Sequence, residues 1–325
     1  MAASSNSVGG EIDVVVTRRD VEADGIISLE LRDAGGGPLP AFTAGSHIDV
    51  MVTADLTRQY SLMNDPAETD RYVIGVLREP NSRGGSAAVH DHFLVGRHAT
   101  ISTPRNHFPL TEGAGRTILL AGGIGVTPML AMAHRLTALG ADFALHYCAR
   151  TKTRAAFLDL IDASAFAARA HIHFDDGAPE QYFSAERDLS PIDDAHLYVC
   201  GPGGFMDFVI GGAKALGWPH DNIHLEYFSN TIVEDGNRAF TVRLARSGRE
   251  LTIPADKSIA NVLKENGVAV PVACEEGICG ACLTGVISGL PHHRDVFMTD
   301  EEHEANKEMT LCCSRAKGDL LVLDI

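Results

Sequence analysis

The chain has 325 residues, 45% of them hydrophobic and 22% charged, and a formal net charge of -16; that length exceeds what one core usually organises and points to two or three folded domains. The acidic excess argues against a nucleic-acid partner, which requires basic patches. No run approaches the roughly 20 apolar residues needed to cross a bilayer, and no basic-then-apolar leader opens the chain, so no membrane role and a cytoplasmic location are expected.

The first ten residues contain Gly and Ser and are expected to fray. From residue 11 to about 104, short apolar runs alternate with turn residues, at 12–17, 26–31, 47–52 and 72–77. Strands spaced in this way predict a small antiparallel barrel, with one helix over 84–93. From 116 to about 228 the rhythm becomes strand, helix, strand, with continuous apolar runs at 118–121, 143–147, 196–200 and 223–228. Such runs predict a parallel sheet covered on both faces. The polar segment 229–237 reads as a linker. Beyond it lie two short strands, 240–244 and 250–253, a helix opened by Ser258 and closed by Gly267, and a last strand over 320–325.

Seven cysteines are present, five of them beyond residue 270. Cys274, Cys279 and Cys282 follow the C-x4-C-x2-C spacing, with Cys312 distant, which is the plant-type ferredoxin pattern for a 2Fe-2S cluster. Two sulfide-bridged irons need four thiolates, and a loop that supplies three of them must wrap tightly. Gly277 and Gly280 lie between the ligands, where a missing Cβ lets backbone N–H groups approach the sulfides. Zinc is the other chemistry for clustered thiols, but it favours paired C-x2-C knuckles or added histidines, which this segment lacks. Cys313 adjoins Cys312. On an extended strand the two would face opposite sides, so only one of them can join the cluster and the other would be an apolar filler.

In the first region, Arg58, Gln59, Tyr60 and Ser61 are followed by Arg83, Gly84, Gly85 and Ser86 at a helix start. An arginine can bind a phosphate, a tyrosine can cover a flat ring, and a Gly-Gly-Ser turn opening a helix offers N–H groups to an anion; an ordinary surface strand could carry the same residues. In the second region a strand runs into Gly122, Gly123, Ile124, Gly125, Val126, Thr127 and Pro128, where glycines let a dinucleotide approach the backbone. A tight structural turn is the other reading. Cys200, Gly201 and Pro202 end a further apolar strand at its carboxyl edge, where open α/β sheets bind ligands.

Taken in order, these motifs resemble the family of phthalate dioxygenase reductase and the vanillate demethylase reductase subunits, over essentially the whole chain after its first ten residues. The resemblance implies a multidomain α+β protein. Residues 1–110 would be an antiparallel flavin-binding β-barrel of the ferredoxin reductase type holding FMN, and 111–230 an α/β parallel-sheet domain binding NADH. After the linker at 231–237, residues 238–325 would be a β-grasp ferredoxin domain with the 2Fe-2S cluster on Cys274, Cys279, Cys282 and Cys312. Residue by residue it implies Arg58, Tyr60, Ser61, Gly75, Val76, Gly84, Gly85 and Ser86 at the flavin, with Ser61 near its reacting N5. Gly123, Gly125, Thr127, Pro128, Cys200, Gly201 and Pro202 would meet the nicotinamide cofactor, and Phe228 would cover the flavin. Ser61 and Cys200 would stand at the reacting atoms.

The function expected is that of the reductase component of a Rieske-type aromatic-ring oxygenase or O-demethylase, passing electrons from NADH to FMN to 2Fe-2S and on to a separate oxygenase that carries the Rieske centre and a mononuclear iron. The chain itself has no C-x-H paired with C-x2-H for a Rieske centre. A self-contained NAD(P)H oxidase or ferric reductase would explain the flavin but not a ferredoxin domain. A redox sensor would not need intact nucleotide motifs. Arg150, Lys152 and Arg154 could meet a 2′-phosphate, but the resemblance favours NADH. The pairs His90 and His92, His171 and His173, and His292 and His293 are expected to be surface or packing residues. The acidic run of Asp300, Glu301, Glu302 and Glu304, with Glu275 and Glu276, is expected to steer a basic oxygenase surface.

Overall fold

The computed structural model describes residues 10–54, 56–80, 84–189, 193–229 and 236–325. The tail, Arg83 and most of the linker expected at 231–237 therefore lie outside the described residues. The chain divides into two compact units, one up to Phe228 and one from Ser229.

The first unit begins with an antiparallel sheet of β1 (Glu11–Ala23), β2 (Ile26–Asp33), β3 (Ser46–Thr53), β4 (Leu56–Ser61), β5 (Tyr72–Leu77), β6 (His98–Ser102) and the short β7 (Arg105–Asn106), with α1 (Gly85–His92) between β5 and β6. The strands lie in the order β4-β3-β6-β1-β2-β5, with β7 on β3. A bridge between Leu62 and Ile74 joins the two ends of that order and closes the barrel. Alternation fills the interior: Val14, Leu29, Ile48, Tyr72 and Ile74 are buried there. β1 is longer than its apolar run because two register shifts let it bend and keep pairing with β2 beyond Val16.

The chain then enters a parallel sheet of β8 (Arg116–Gly122), β9 (Phe143–Ala149), β10 (Ala170–Phe174), β11 (Ala195–Cys200) and β12 (Ile223–Glu226). Four helices accompany it: α2 (Val126–Leu139), α3 (Leu158–Asp162), α4 (Ala185–Asp188) and α5 (Gly203–Ala215). The order β10-β9-β8-β11-β12 places a switch point between β8 and β11, whose carboxyl ends carry the Gly122 turn and Cys200. The edge strand β10 escaped the sequence reading because His171 and His173 break its apolar run. Both histidines pack: His146 stacks on each, and its Nδ1 lies 3.0 Å from Nε2 of His173. Barrel and sheet share one core, in which Ile26, Ala44 and Met63 join Leu119, Met129 and Tyr147.

The second unit has the sheet order β14-β13-β19-β15-β17, formed by β13 (Phe240–Leu244), β14 (Glu250–Ile253), β15 (Leu283–Ser288), β17 (Glu308–Thr310) and β19 (Leu320–Leu323). A two-strand ladder of β16 (Pro291–His292) and β18 (Arg315–Ala316) lies beside it. Helix α6 (Ile259–Glu265) buries Ile259, Val262 and Leu263 in the same core as Val242 and Leu321. Its start is set by Ser258, whose hydroxyl accepts from the Asn261 N–H at 3.2 Å. Helix α7 (Asp300–Ala305) is capped by Thr299 and Glu302 in a reciprocal box.

Candidate functional site

The first unit gathers its candidate residues at the carboxyl edge of the parallel sheet, against the barrel. Ser61 ends β4 and is 5% exposed. Its side chain stands by the carboxyl of Glu226, which ends β12 beside Cys200 in the parallel pairing. The Glu226 Oε2 is shut off from solvent without a partner. Burial pushes this carboxyl up to about 8, with the Ser61 hydroxyl pulling the other way. Burial, and then the neighbouring Glu226, also push the Cys200 thiol well above its usual value, so Cys200 presents a neutral packing surface and not a thiolate.

The glycine turn presses directly on this group. A Cβ on Gly125 would lie 2.3 Å from the carbonyl oxygen of Cys200, so only glycine lets the two strand ends approach so closely. Thr127 is 2% exposed, and its hydroxyl donates to the Ile124 carbonyl at 3.0 Å, closing its own turn. Its methyl meets Gly75 of β5, where an added Cβ would stand 2.7 Å from Thr127 Cγ2. Pro128 is buried in the first turn of α2. Gly123 takes φ +55°, and Gly201 and Pro202 lead from β11 into α5.

A second cluster of candidates lies at the start of α1. The Arg58 side chain runs over Gly85, with Nε 2.5 Å from where a Cβ would be, so guanidinium and helix N-terminus sit side by side. First-turn N–H groups need acceptors, and an anion held there would meet both them and a cation. Ser86 Oγ already accepts from the Glu79 N–H at 3.0 Å. The Val76 side chain belongs to the barrel interior, so only its backbone can face a ligand. Tyr60 is partly buried, and Phe228, two residues past β12, is 37% exposed.

In the second unit Cys274, Cys279, Cys282 and Cys312 converge. The neighbouring thiols of Cys279 and Cys312 pull that of Cys274 below its usual range, and Cys312 lowers that of Cys282. Backbone N–H groups surround the sulfurs: Glu276 and Ile278 donate to Cys274 Sγ at 3.3 and 3.4 Å, and Ala281 to Cys279 Sγ at 3.5 Å. Four convergent thiols with amides aimed at them fit a 2Fe-2S cluster. Cys312 and Cys313 follow β17 in a turn, not on the extended strand expected. Cys313 Sγ lies 3.1 Å from Thr310 Oγ1 and fills the space that Gly277 leaves, at 2.4 Å from a built Cβ.

Two acidic residues were missed from sequence. Glu226 is a lone acid ending an apolar strand, and only the sheet order brings it to Cys200 and Ser61. Asp175 follows β10 and lines a cavity of about 280 Å³ with Cys148, His173, Tyr182, Phe183 and Phe208. Within the acidic run one carboxylate also has a local role. Glu302 accepts from the Thr299 N–H at 2.8 Å, so its carboxylate serves the helix cap.

Comparison with known proteins agrees with this arrangement. Residues 242–317 match the family model of the 2Fe-2S iron-sulfur cluster binding domain. The vanillate O-demethylase oxidoreductase of Pseudomonas putida is 49% identical over 316 residues, covering 97% of this chain and 100% of that one. The phthalate dioxygenase reductase of Burkholderia cepacia is 41% identical over 322 residues, covering 97% and 98%. A solved structure of phthalate dioxygenase reductase, described as modular for electron transfer from pyridine nucleotides to [2Fe-2S], superposes with a TM-score of 0.77 at 40% identity over 97% of this chain and 98% of that one.

Proposed function

The chain belongs to the family of vanillate O-demethylase oxidoreductase and phthalate dioxygenase reductase, and from that premise we infer that it is the reductase component of a Rieske-type aromatic oxygenase or O-demethylase. It takes hydride from NADH onto FMN and sends electrons through its 2Fe-2S cluster to a separate oxygenase. The observation that carries this is the pairing of two sites in one chain: four convergent thiols, and a glycine turn pressed against Cys200, which lies beside Glu226.

The flavin, when bound, supplies the conversion from a two-electron donor to a one-electron acceptor. The chain's own residues do the rest. Arg58 and the start of α1 hold the phosphate, an anchor that suits FMN because the described residues include no added segment for an adenosine half. Thr127 and Gly125 set how closely the nicotinamide can lie to the flavin ring, since hydride transfer needs donor and acceptor atoms roughly 3 to 3.5 Å apart. Cys200 gives that ring a neutral, water-free floor. Ser61 offers its hydroxyl at the edge where charge redistributes, and Glu226 holds that hydroxyl in place. On this reading the barrel of residues 1–110, the sheet of 111–230 and the segment 238–325 are the FMN, NADH and cluster domains.

Asp175 supports NADH. A carboxylate ending a strand of the nucleotide sheet can accept from the ribose 2′-hydroxyl and repel a 2′-phosphate. Arg150, Lys152 and Arg154 follow β9 but do not line the cavity that Asp175 shares with Cys148. No helix among the described residues is long and apolar enough to cross a membrane.

Stopped-flow mixing with NADH tests the reading. Flavin bleaching followed by cluster reduction is expected, and added oxygenase should draw electrons from the cluster. Rapid bleaching without cluster reduction would favour a stand-alone oxidase; no bleaching would favour a sensor.

A further inference from the structure

In the unit that carries the cluster thiols, the side chain of Asp295 has no exposed surface. Its Oδ1 accepts from the hydroxyls of Thr310 at 3.1 Å and Ser314 at 3.3 Å. Its Oδ2 accepts from the Met298 N–H at 3.0 Å and from His303 Nε2 at 3.1 Å. These donors fill the four acceptor positions of a carboxylate. His293, Asp295 and His303 bring potential ligand atoms within 4.8 Å of one another, but a cation there would have to displace donors already in place. The arrangement points to a different use.

Thr310 and Ser314 bracket Cys312 and Cys313, so Oδ1 grips the segment that supplies the fourth thiol. On its other side Asp295 backs the three-thiol loop. A Cβ on Gly277, which takes φ +70°, would stand 2.9 Å from both Cα and Cβ of Asp295, and the Val296 N–H donates to the Gly277 carbonyl at 3.0 Å. One residue therefore touches both halves of the ligand set. It also carries a buried charge. The imidazole of His303, stacked on His293 at 4.5 Å, is its partner from α7, while Arg294 precedes it in the chain and Cys313 faces it from the fourth-thiol segment. Buried charges act over several ångströms with little screening, and cluster potentials follow local net charge and hydrogen bonding.

We propose that Asp295 is a positioning residue for the 2Fe-2S cluster, joining the three-thiol loop to the fourth-thiol segment and holding the reduction potential down through its fixed negative charge. The proposal rests on cluster binding by this unit.

The test uses the full-length holoprotein, measuring iron content, the cluster's midpoint potential by redox titration and the EPR spectrum of the reduced form. Asp295→Asn keeps the shape and the Oδ1 acceptor but removes the charge; it is expected to load the cluster and to shift the potential upward. His303→Leu removes one donor and leaves the charge less offset, so its potential is expected to shift downward. Shifts of opposite sign are what charge requires, whereas a purely structural role gives iron loss with an unmoved potential in the clusters that remain. Unmoved potentials, or shifts of the same sign, overturn the proposal. If Asp295→Asn loads no cluster, His303→Leu decides: a lower potential supports the proposal, and an equal or higher one overturns it. A wild-type chain that binds no cluster overturns the underlying reading, and the proposal with it.

Discussion

Ser61 and Glu226 meet side chain to side chain although they end strands of different sheets, β4 of the barrel and β12 of the parallel sheet. The contact ties the barrel to the carboxyl edge of the parallel sheet beside Cys200. It also leaves a carboxyl group in a place where ionisation is costly.

Replacing Ser61 by Ala should therefore slow hydride transfer from NADH, by roughly a hundredfold if the hydroxyl acts mainly in the transition state. Flavin content should stay near that of wild type, because the proposed anchor, Arg58 with the α1 N-terminus, is untouched. Single-turnover stopped-flow at saturating NADH reads the rate, and the absorbance of the purified protein reads the content. An unchanged rate would remove Ser61 from the reacting centre.

The Glu226 carboxyl, lifted from 4.5 to about 8 by burial, binds its proton more tightly in the folded chain than in the unfolded one. Its contribution to stability is then fully present below about 4.5, declines as pH rises, and is lost by about 8. Flavin-free wild-type protein should accordingly show a Tm that falls between pH 5 and pH 8, and Glu226→Gln should remove part of that fall. The free energy at stake is on the order of several kcal/mol. Parallel pH profiles for the two proteins would count against this assignment.

Asp175→Ser should reduce the preference for NADH over NADPH, by roughly ten- to a hundredfold in the ratio of kcat/KM values if a charged hydrogen bond to the ribose is lost. Most of the change should lie in KM, since the residue is placed for binding and not at the reacting atoms. Steady-state kinetics with both nucleotides decide it. A constant ratio would return the choice of cofactor to Arg150, Lys152 and Arg154.

Cys312→Ser should lose the visible absorbance of the cluster while leaving flavin reduction by NADH intact. Cys313→Ser should keep the iron, since its thiol faces Thr310 and Gly277. The reverse pattern would place the fourth ligand one residue later.

Sequence legibility followed the range of each interaction. The thiol spacing, the Ser258 cap and the strands Tyr72–Leu77, Phe240–Leu244 and Glu250–Ile253 depend on neighbours a few residues away, and local pattern captured them. Glu226 and Asp175 depend on which strands lie side by side, and nothing near them in the chain reports that. β10 was hidden because His171 and His173 break its apolar run, although His173 finds partners in His146 and the Gln181 carbonyl. The turn at Cys312 was misread for a related reason: extension was assumed, while Asp295 bends the segment through Thr310 and Ser314.

The core shared by the barrel and the parallel sheet bears on how such a protein can be inherited. Ile26, Ala44 and Met63 lie in one buried cluster with Leu119, Met129 and Tyr147. A gene fusion or truncation that broke the chain between those two sheets would leave two sticky remnants, each presenting half an interior to solvent. Evolution can therefore trade this flavin and nucleotide pair between redox systems only as a single cassette, and its two parts must melt, and drift in sequence, together.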